Sequence, residues 1–347
     1  LNLLKATCKK HILEFKRPSG TSRGILKTKE TWFIILENEN NKGIGECGIL
    51  RTLSVDDVPE YEDKLQWACK NIHLGLVVLL QELITFPSIQ FGLEQAFLSL
   101  KSLNPFELFP SEFTKGNKAI PINGLVWMGD KDFMKQQIRE KLDNGFSCIK
   151  MKIGAIDFNT EIKLLKSIRK EYSKSDIELR VDANGAFIPE TALEKLKVLS
   201  ELELHSIEQP IKPKQINEMA RLCEQSPLAI ALDEELIGVF DVTKKQKIIQ
   251  TIQPQYIILK PSLIGGFKGS QEWIDLASKN NIAYWVTSAL ESNVGLNAIS
   301  QWTYTLNNPK SQGLGTGSLY TNNIDSPLEV KNGQLHYNND LNWKFNI

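Results

Sequence analysis

Lys150 and Lys152 lie two residues apart in Phe146-Ser-Cys-Ile-Lys-Met-Lys-Ile-Gly154, a short apolar stretch bounded by Gly145 and Gly154. Its pattern reads as a buried strand. Alternation along a strand puts both ammonium groups on one face. On an edge strand that face is simply solvated. Lining a barrel, it needs carboxylates or a ligand to answer it. Carboxylates follow at regular intervals: Asp182 in Ile177-Glu-Leu-Arg-Val-Asp-Ala-Asn-Gly185, Glu208 in Leu204-His-Ser-Ile-Glu-Gln-Pro210, and Asp233 in Leu228-Ala-Ile-Ala-Leu-Asp-Glu-Glu235. Lys260 closes Tyr256-Ile-Ile-Leu-Lys-Pro-Ser262. Three carboxylates converging at one rim repel one another unless a divalent cation joins them. Oxygen-only ligands suit Mg²⁺, with Mn²⁺ as a substitute. Zinc is disfavoured. His205 lies three residues before Glu208, so alternation turns it away, and His11, His73 and His336 fall elsewhere in the chain.

A carboxylate substrate held on such a cation can lose its α-proton, because the metal neutralises the enediolate dianion. The base must be a neutral amine. A lysine crowded by a second lysine and a metal has its pKa lowered toward that state. A lysine across the site delivers a proton or steadies the anion. Elimination, epimerisation and cycloisomerisation all begin this way.

The elements that would place these groups are legible as a repeat. Strand ends marked by Asn123, Lys150, Asp182, Glu208, Asp233, Lys260, Thr287 and Gly313 recur every 25 to 32 residues, the length of one β/α unit. The fold class expected is α/β, a (β/α)7β TIM-like barrel over residues 119–319. Amphipathic helices alternate with the strands. One begins at Asp157 as N-cap and carries Phe158, Ile162, Leu165, Ile168 and Tyr172 on one face; another begins at Pro189. Residues 1–118 form an N-terminal α+β capping domain. Strands are expected at 3–15, 31–36 and 43–48, and helices at 61–83 and 91–103. Residues 17–24 (Arg-Pro-Ser-Gly-Thr-Ser-Arg-Gly) are a mobile hairpin loop or a lid whose Arg23 meets an anionic ligand. Residues 327–347 read as strand, Asn332-Gly333 turn and strand, within a segment, 320–347, expected to return and pack on the capping domain.

Bulk properties suit an ordinary soluble globular protein of one large domain and a smaller one. The 347 residues are 41% hydrophobic and 24% charged, with 41 basic and 41 acidic residues and no net charge. No basic field exists to hold nucleic acid or an anionic membrane. The longest apolar run, Leu74 to Leu80, is too short to span a bilayer. The N-terminus lacks the layout of a signal peptide. Five scattered cysteines without a Cys-x-x-Cys pair argue against a disulfide framework and for a cytoplasmic setting. Oligomeric state is not legible.

The order Lys150-Met-Lys152, Asp182-Ala-Asn184, Glu208-Gln-Pro210, Asp233-Glu-Glu235, Lys260-Pro-Ser262 resembles the muconate-lactonising-enzyme subgroup of the enolase superfamily across essentially the whole chain. Pro18-Ser-Gly-Thr-Ser-Arg-Gly24, Gly43-Ile-Gly-Glu-Cys-Gly48 and Gly313-Leu-Gly-Thr-Gly317 are similar to the o-succinylbenzoate synthases of menaquinone biosynthesis. That resemblance implies a Mg²⁺-dependent hydro-lyase that removes water in syn fashion from 2-succinyl-6-hydroxy-2,4-cyclohexadiene-1-carboxylate. Lys152 would take the proton, Lys260 would stabilise the anion, and Asp182, Glu208 and Asp233 would hold the metal. Substrate contacts fall to Arg23, Lys150, Asn184, Ser262, Ser288, Gly315 and Thr316.

An argument from the residues supports that branch. Dipeptide epimerases of the subgroup present acids at the end of the eighth strand, whereas Gly313-Leu-Gly-Thr-Gly317 has none and lets backbone N–H groups approach an anion. The strand ending Thr287-Ser288 lacks a catalytic His, unlike the mandelate-racemase subgroup. Glu291 nearby has no assigned role. Alternatives are an N-succinylamino-acid racemase or a dipeptide epimerase with the same site, and a catalytically silent metabolite-binding barrel.

Overall fold

The computed structural model describes residues 4–21, 24–127 and 130–346. The chain opens with an antiparallel meander of β1 (Lys5–Thr21), β2 (Gly24–Glu37) and β3 (Lys42–Gly48). The β1–β2 ladder continues to Thr21 opposite Gly24, so most of the expected 17–24 loop is strand. Arg23, the expected lid residue, lies outside the described residues. Both faces of β2 are buried from Thr31 to Leu36. Trp32, Ile34 and Leu36 pack under the helices, while Phe33 meets Val294 and Ile324 on the other side. A sheet covered twice reads as a continuous apolar run instead of a clean alternation.

Three helices cover this sheet: α1 (Tyr61–Lys70), α2 (Gly75–Glu82) and α3 (Pro87–Lys101). The single helix expected over 61–83 is interrupted after Lys70, and α2 restarts at Gly75, whose φ of +79 a glycine adopts without cost. The second helix starts at Pro87, which occupies the first turn where its missing N–H costs nothing. α3 lies directly on β3. A Cβ on Gly45 would meet the Gly92 carbonyl oxygen at 1.9 Å.

The barrel follows in chain order: β4 (Ile120–Pro121), β5 (Gly124–Val126), α4 (Lys131–Asp143), β6 (Cys148–Lys152), α5 (Phe158–Glu171), β7 (Glu178–Asp182), α6 (Pro189–Ser200), β8 (Ser206–Glu208), α7 (Ile216–Gln225), β9 (Ile230–Leu232), α8 (Val242–Ile252), β10 (Tyr256–Leu259), α9 (Pro261–Ile264), α10 (Gly266–Lys279), β11 (Ala283–Val286) and α11 (Asn293–Thr305). Strands β5 to β11 form a curled parallel sheet in sequential order. Residues 312 and 313 bridge its ends, pairing Ile122 with Gln312 and Thr287 with Gly313. The expected (β/α)7β barrel is therefore present, with its last strand reduced to two bridges.

Asp157 caps α5, accepting the Thr160 N–H at 2.9 Å, a contact worth about 1 kcal/mol. Tyr172 lies just past the end of that helix. β12 (Leu328–Lys331) and β13 (Gln334–Tyr337) make the expected hairpin around Asn332-Gly333. β13 pairs with β4 at the base of the barrel. Residues 320–324 reach β1 of the N-terminal unit, where Tyr320 meets Phe15 at 4.7 Å and the Asn322 amide donates to the Ile12 carbonyl at 2.7 Å, and the last residues reach it again, where Trp343 stacks on Phe106 at 4.1 Å and Phe345 meets Phe33 edge-on at 5.3 Å. Among the described residues no helix is long and apolar enough to cross a membrane, and all five cysteines are free.

Candidate active site

A cavity of about 650 Å³ runs from the C-terminal ends of the barrel strands, where residues 24–26 and 50–53 of the N-terminal unit roof it, to Phe146 and the β12–β13 hairpin. Parallel registry sets its floor. Lys152 pairs with Asp182, and Asp182 with Glu208, so neighbouring strands β6, β7 and β8 end level. Asp233 follows β9 directly, and Lys260 follows β10. Lys150, Lys152 and Lys260 line the cavity, while Asp182, Glu208 and Asp233 lie beneath them, almost wholly buried.

The charges pair across the strands. Lys150 Nζ lies 2.9 Å from Asp182 Oδ2 and also donates to Glu208 Oε2. Lys152 Nζ donates to Asp182 Oδ2 at 2.5 Å and to Asn184 Oδ1 at 2.8 Å. Lys260 Nζ donates to Asp233 Oδ2. Burial pushes the Asp182 carboxyl upward, but Lys150 and Lys152 more than offset it and hold it well below the carboxylate range. Asp233 is likewise buried, yet Lys260 brings it down. Burial and the adjacent Asp182 push Glu208 well above its ordinary value.

Lys150 and Lys260 are held charged by the acids. Burial opposes the charge on Lys150, yet Asp182 and Glu208 outweigh burial and raise its pKa; Asp233 does the same for Lys260. The reason is that in this arrangement the lysines are the counter-ions of three buried acids. A lowered lysine pKa requires another cation to take that role.

The residues fit a hard divalent cation in their donor set, which is three oxygen ligands on consecutive strands. Glu208 Oε1 is buried and makes no hydrogen bond, an oxygen that a cation would satisfy. With the lysines drawn in, no three acidic, His or Cys side chains among the described residues surround a single point closely enough to bind metal. The geometry therefore places the Lys150 ammonium between Asp182 and Glu208, where a bound cation would compete with it.

Two turns beyond these strands hold unusual backbone. Asn184 (φ +43) and Gln209 (φ +40) are both left-handed. Such conformations are held in place by their surroundings and gather at functional sites. The Asn184 amide donates to Glu234 Oε1 at 3.0 Å, and Gln209 Oε1 accepts from the backbone N–H of Asp233 at 3.2 Å and of Glu235 at 3.3 Å. The turn after Glu208 thus positions the one after β9.

The other residues named from sequence separate into two groups. Asn184, Ser288, Gly315 and Thr316 line the cavity, and Ser288 Oγ lies 2.6 Å from Thr316 Oγ1. Ser262 does not line it; buried at the start of α9, it donates its hydroxyl proton to Glu291 Oε1 at 2.5 Å. Its place in the short helix after Lys260 turns it behind the wall. His205 stacks on Tyr256 at 4.8 Å, away from the acids, as alternation indicated.

Comparison with known proteins decides the family. Residues 133–340 match the family described as enolase C-terminal domain-like. The o-succinylbenzoate synthase of Desulfotalea psychrophila is 46% identical over 93% of this chain and 96% of its own length. That of Listeria innocua is 28% identical over 80% of this chain and 75% of its own. The chain belongs to the o-succinylbenzoate synthase family of the enolase superfamily. The crystal structure of MenC from Desulfotalea psychrophila superposes with a TM-score of 0.86 at 42% identity, covering 96% of this chain and 99% of that one. The muconate lactonizing enzyme of Pseudomonas fluorescens complexed with muconolactone superposes at 0.84 with 20% identity, over 99% and 97% of the two chains, a likeness of fold.

Among the features of this family member that sequence reasoning missed, Glu234 is the nearest to the chemistry. It lines the cavity beside Asn184 and directly follows Asp233. That adjacency was the available signal. Glu46 and Glu94 also went unread. Glu46 of β3 accepts the Ser292 and Gly295 N–H groups at the start of α11, at 2.8 and 2.7 Å. Glu94 of α3 accepts those of Phe267 and Lys268 at the start of α10, at 2.5 and 3.0 Å. Each carboxylate meets the positive end of a barrel helix dipole, so the N-terminal unit is keyed onto the barrel by two reciprocal caps.

Proposed function

We infer that the chain catalyses the o-succinylbenzoate synthase reaction of menaquinone biosynthesis, converting 2-succinyl-6-hydroxy-2,4-cyclohexadiene-1-carboxylate to 2-succinylbenzoate with loss of water. The observation that carries this reading is 46% identity to an enzyme of that name across nearly both full lengths. A complete Lys-x-Lys, Asp, Glu, Asp and Lys set at one barrel mouth supports it.

In this reading Asp182, Glu208 and Asp233 hold Mg²⁺, with Mn²⁺ as a substitute. The metal supplies the positive charge on which an enediolate dianion depends. Lys152 takes the α-proton, its Nζ oriented by Asn184 Oδ1 at 2.8 Å and Asp182 Oδ2 at 2.5 Å. With the three acids answering a bound cation, Lys150 would be released from Asp182 and Glu208. Lys150 then faces the substrate carboxylate. Lys260, four strands along the sheet from Lys152 and beside Asp233, stabilises the developing anion from the opposite side of the mouth. The loss is syn, so Lys152 returns the proton it has taken to the hydroxyl on the same face, which departs as water as the ring becomes aromatic.

Ser288, Gly315 and Thr316 form the wall suited to the succinyl carboxylate, with hydroxyl and backbone donors and no acid in the 313–317 stretch. The substrate is a small dicarboxylate, and the setting is the cytoplasm, in keeping with five free thiols. Purified protein supplied with Mg²⁺ and the cyclohexadiene substrate should give 2-succinylbenzoate, followed by the change in ultraviolet absorbance. Racemisation of N-succinyl amino acids without dehydration would replace this reading with that of the related racemases.

A further inference from the structure

Lys152 ends β6, and two acceptors steer its Nζ. Asp182 Oδ2 lies at 2.5 Å and Asn184 Oδ1 at 2.8 Å. The two act differently. A carboxylate holds an ammonium charged, whereas a neutral amide oxygen accepts an N–H from the charged or the neutral amine alike. Asn184 can therefore go on aiming Lys152 once the amine has become a base.

The backbone of Asn184 is fixed. It is left-handed, at φ +43, and its N–H donates to Asp182 Oδ1 at 3.0 Å. That does not fix the side-chain amide. Its last torsion is broad and twofold, so the backbone leaves open which end, Oδ1 or Nδ2, faces Lys152. Turned over, the amide would set Nδ2 against Nζ, donor against donor.

Glu234 settles the choice. Asn184 Nδ2 donates to Glu234 Oε1 at 3.0 Å. A carboxylate only accepts, so it takes the Nδ2 end and leaves Oδ1 to Lys152. Glu234 is itself held. It is buried and opens the single turn Glu234–Leu236 directly after Asp233. Gln209 fastens that turn: its Oε1 accepts from the Asp233 and Glu235 N–H groups at 3.2 and 3.3 Å, and its Nε2 donates to Glu235 Oε2 at 3.2 Å. The Lys214 N–H adds a bond to Glu235 Oε1 at 2.8 Å. Lys152, Asn184 and Glu234 all line the cavity, in a row that runs from the end of β6 past β7 to the end of β9.

We propose that Glu234 is a positioning residue for the proton-abstracting lysine: by taking the Nδ2 end of Asn184 it turns Oδ1 toward Lys152 Nζ. It works on the chemical step, and only through Asn184. It does so from the residue after Asp233, so the turn that carries one proposed metal ligand also sets the base.

The test rests on the dehydration reaction and the base proposed above. It compares kcat, KM and Tm of wild type, Glu234→Ala, Glu234→Gln, Asn184→Ala and the double variant Glu234→Ala/Asn184→Ala in saturating Mg²⁺. Glu234→Ala is expected to lower kcat about tenfold, with KM within about threefold of wild type. Glu234→Gln keeps an oxygen that accepts from Asn184 Nδ2, and its kcat should stay within about threefold. Because Glu234 acts through Asn184, the double variant should match Asn184→Ala within about twofold; independent or merely structural effects would multiply. Wild-type turnover is the control, and its absence sinks the assigned reaction. Given wild-type turnover, the role of Glu234 alone is overturned by a Glu234→Ala kcat within twofold of wild type, by effects that multiply, or by a Glu234→Gln kcat as low as that of Glu234→Ala. If Glu234→Ala does not fold, Glu234→Met fills the same space without an acceptor and takes its place in every comparison. Failure of both to fold makes the side chain structural and overturns the proposal.

Discussion

Lys150→Met isolates the competition between an ammonium and a divalent cation for the same carboxylates. Lys150 Nζ contacts Asp182 Oδ2 at 2.9 Å and also binds Glu208, and all three groups are almost fully buried. Removing one member of a buried ionic set typically costs about 3–5 kcal/mol, because the remaining charges are left unanswered. For a chain of this size, at about 2 °C per kcal/mol, the loss corresponds to a fall in Tm of roughly 6–10 °C in EDTA. A cation binding Asp182, Glu208 and Asp233 restores the missing charge. At a hundred times its Kd it contributes about 2.7 kcal/mol to either protein, and it binds the variant more tightly because no ammonium need be displaced. The assay is thermal denaturation by circular dichroism, wild type against variant, in EDTA and across a Mg²⁺ titration. The gap in Tm should narrow as Mg²⁺ rises. A gap that stays constant means that Lys150 and the metal do not share those carboxylates.

Three further outcomes follow from particular contacts. Asn184→Ala removes the acceptor at 2.8 Å from Lys152 Nζ and the donor to Glu234, and should lower kcat/KM about 10- to 100-fold, the value of one hydrogen bond to a charged group. His205 is held at about 4 by burial, against the opposing pull of Glu178. Its folded pKa lies below the unfolded one, so its share of stability is complete above about pH 6.5 and drains away as pH falls toward 4. With the ring partly open to solvent that share is about 1–2 kcal/mol, and His205→Gln should flatten this part of the stability–pH curve measured by urea unfolding. Gly45→Ala drives a methyl group into the Gly92 carbonyl and should destabilise by about 1–3 kcal/mol, seen as a lower urea midpoint.

The candidate site residues stand out in the sequence because each sits at the same place in a repeating unit. Period-two alternation put Lys150 and Lys152 on one face, and both do line the mouth. The β/α spacing carried the barrel, including its short first and last strands, which it placed near Asn123 and Gly313. What stayed hidden was set by distant contacts. Glu46 caps α11 from 246 positions away, and Glu94 caps α10 from 173. Neither has a local signal beyond being an acid in an apolar stretch. Ser262 looked like a substrate contact from its place two residues after Lys260, yet the short helix there turns its hydroxyl toward Glu291. The direction of the lysine pKa shifts was also beyond the sequence. It depends on which cation the three acids hold, and in this arrangement the acids hold the lysines.

The most direct measurement follows dehydration of 2-succinyl-6-hydroxy-2,4-cyclohexadiene-1-carboxylate by wild type and by Lys152→Ala, side by side in saturating Mg²⁺, with Tm recorded for both. Wild type should turn over. Lys152→Ala should lose at least about 10²–10⁴-fold in kcat, as expected for removal of a general base, while remaining folded. Turnover by the folded variant within tenfold of wild type would contradict the assignment of Lys152 as the base, and no turnover by wild type would contradict the reaction itself.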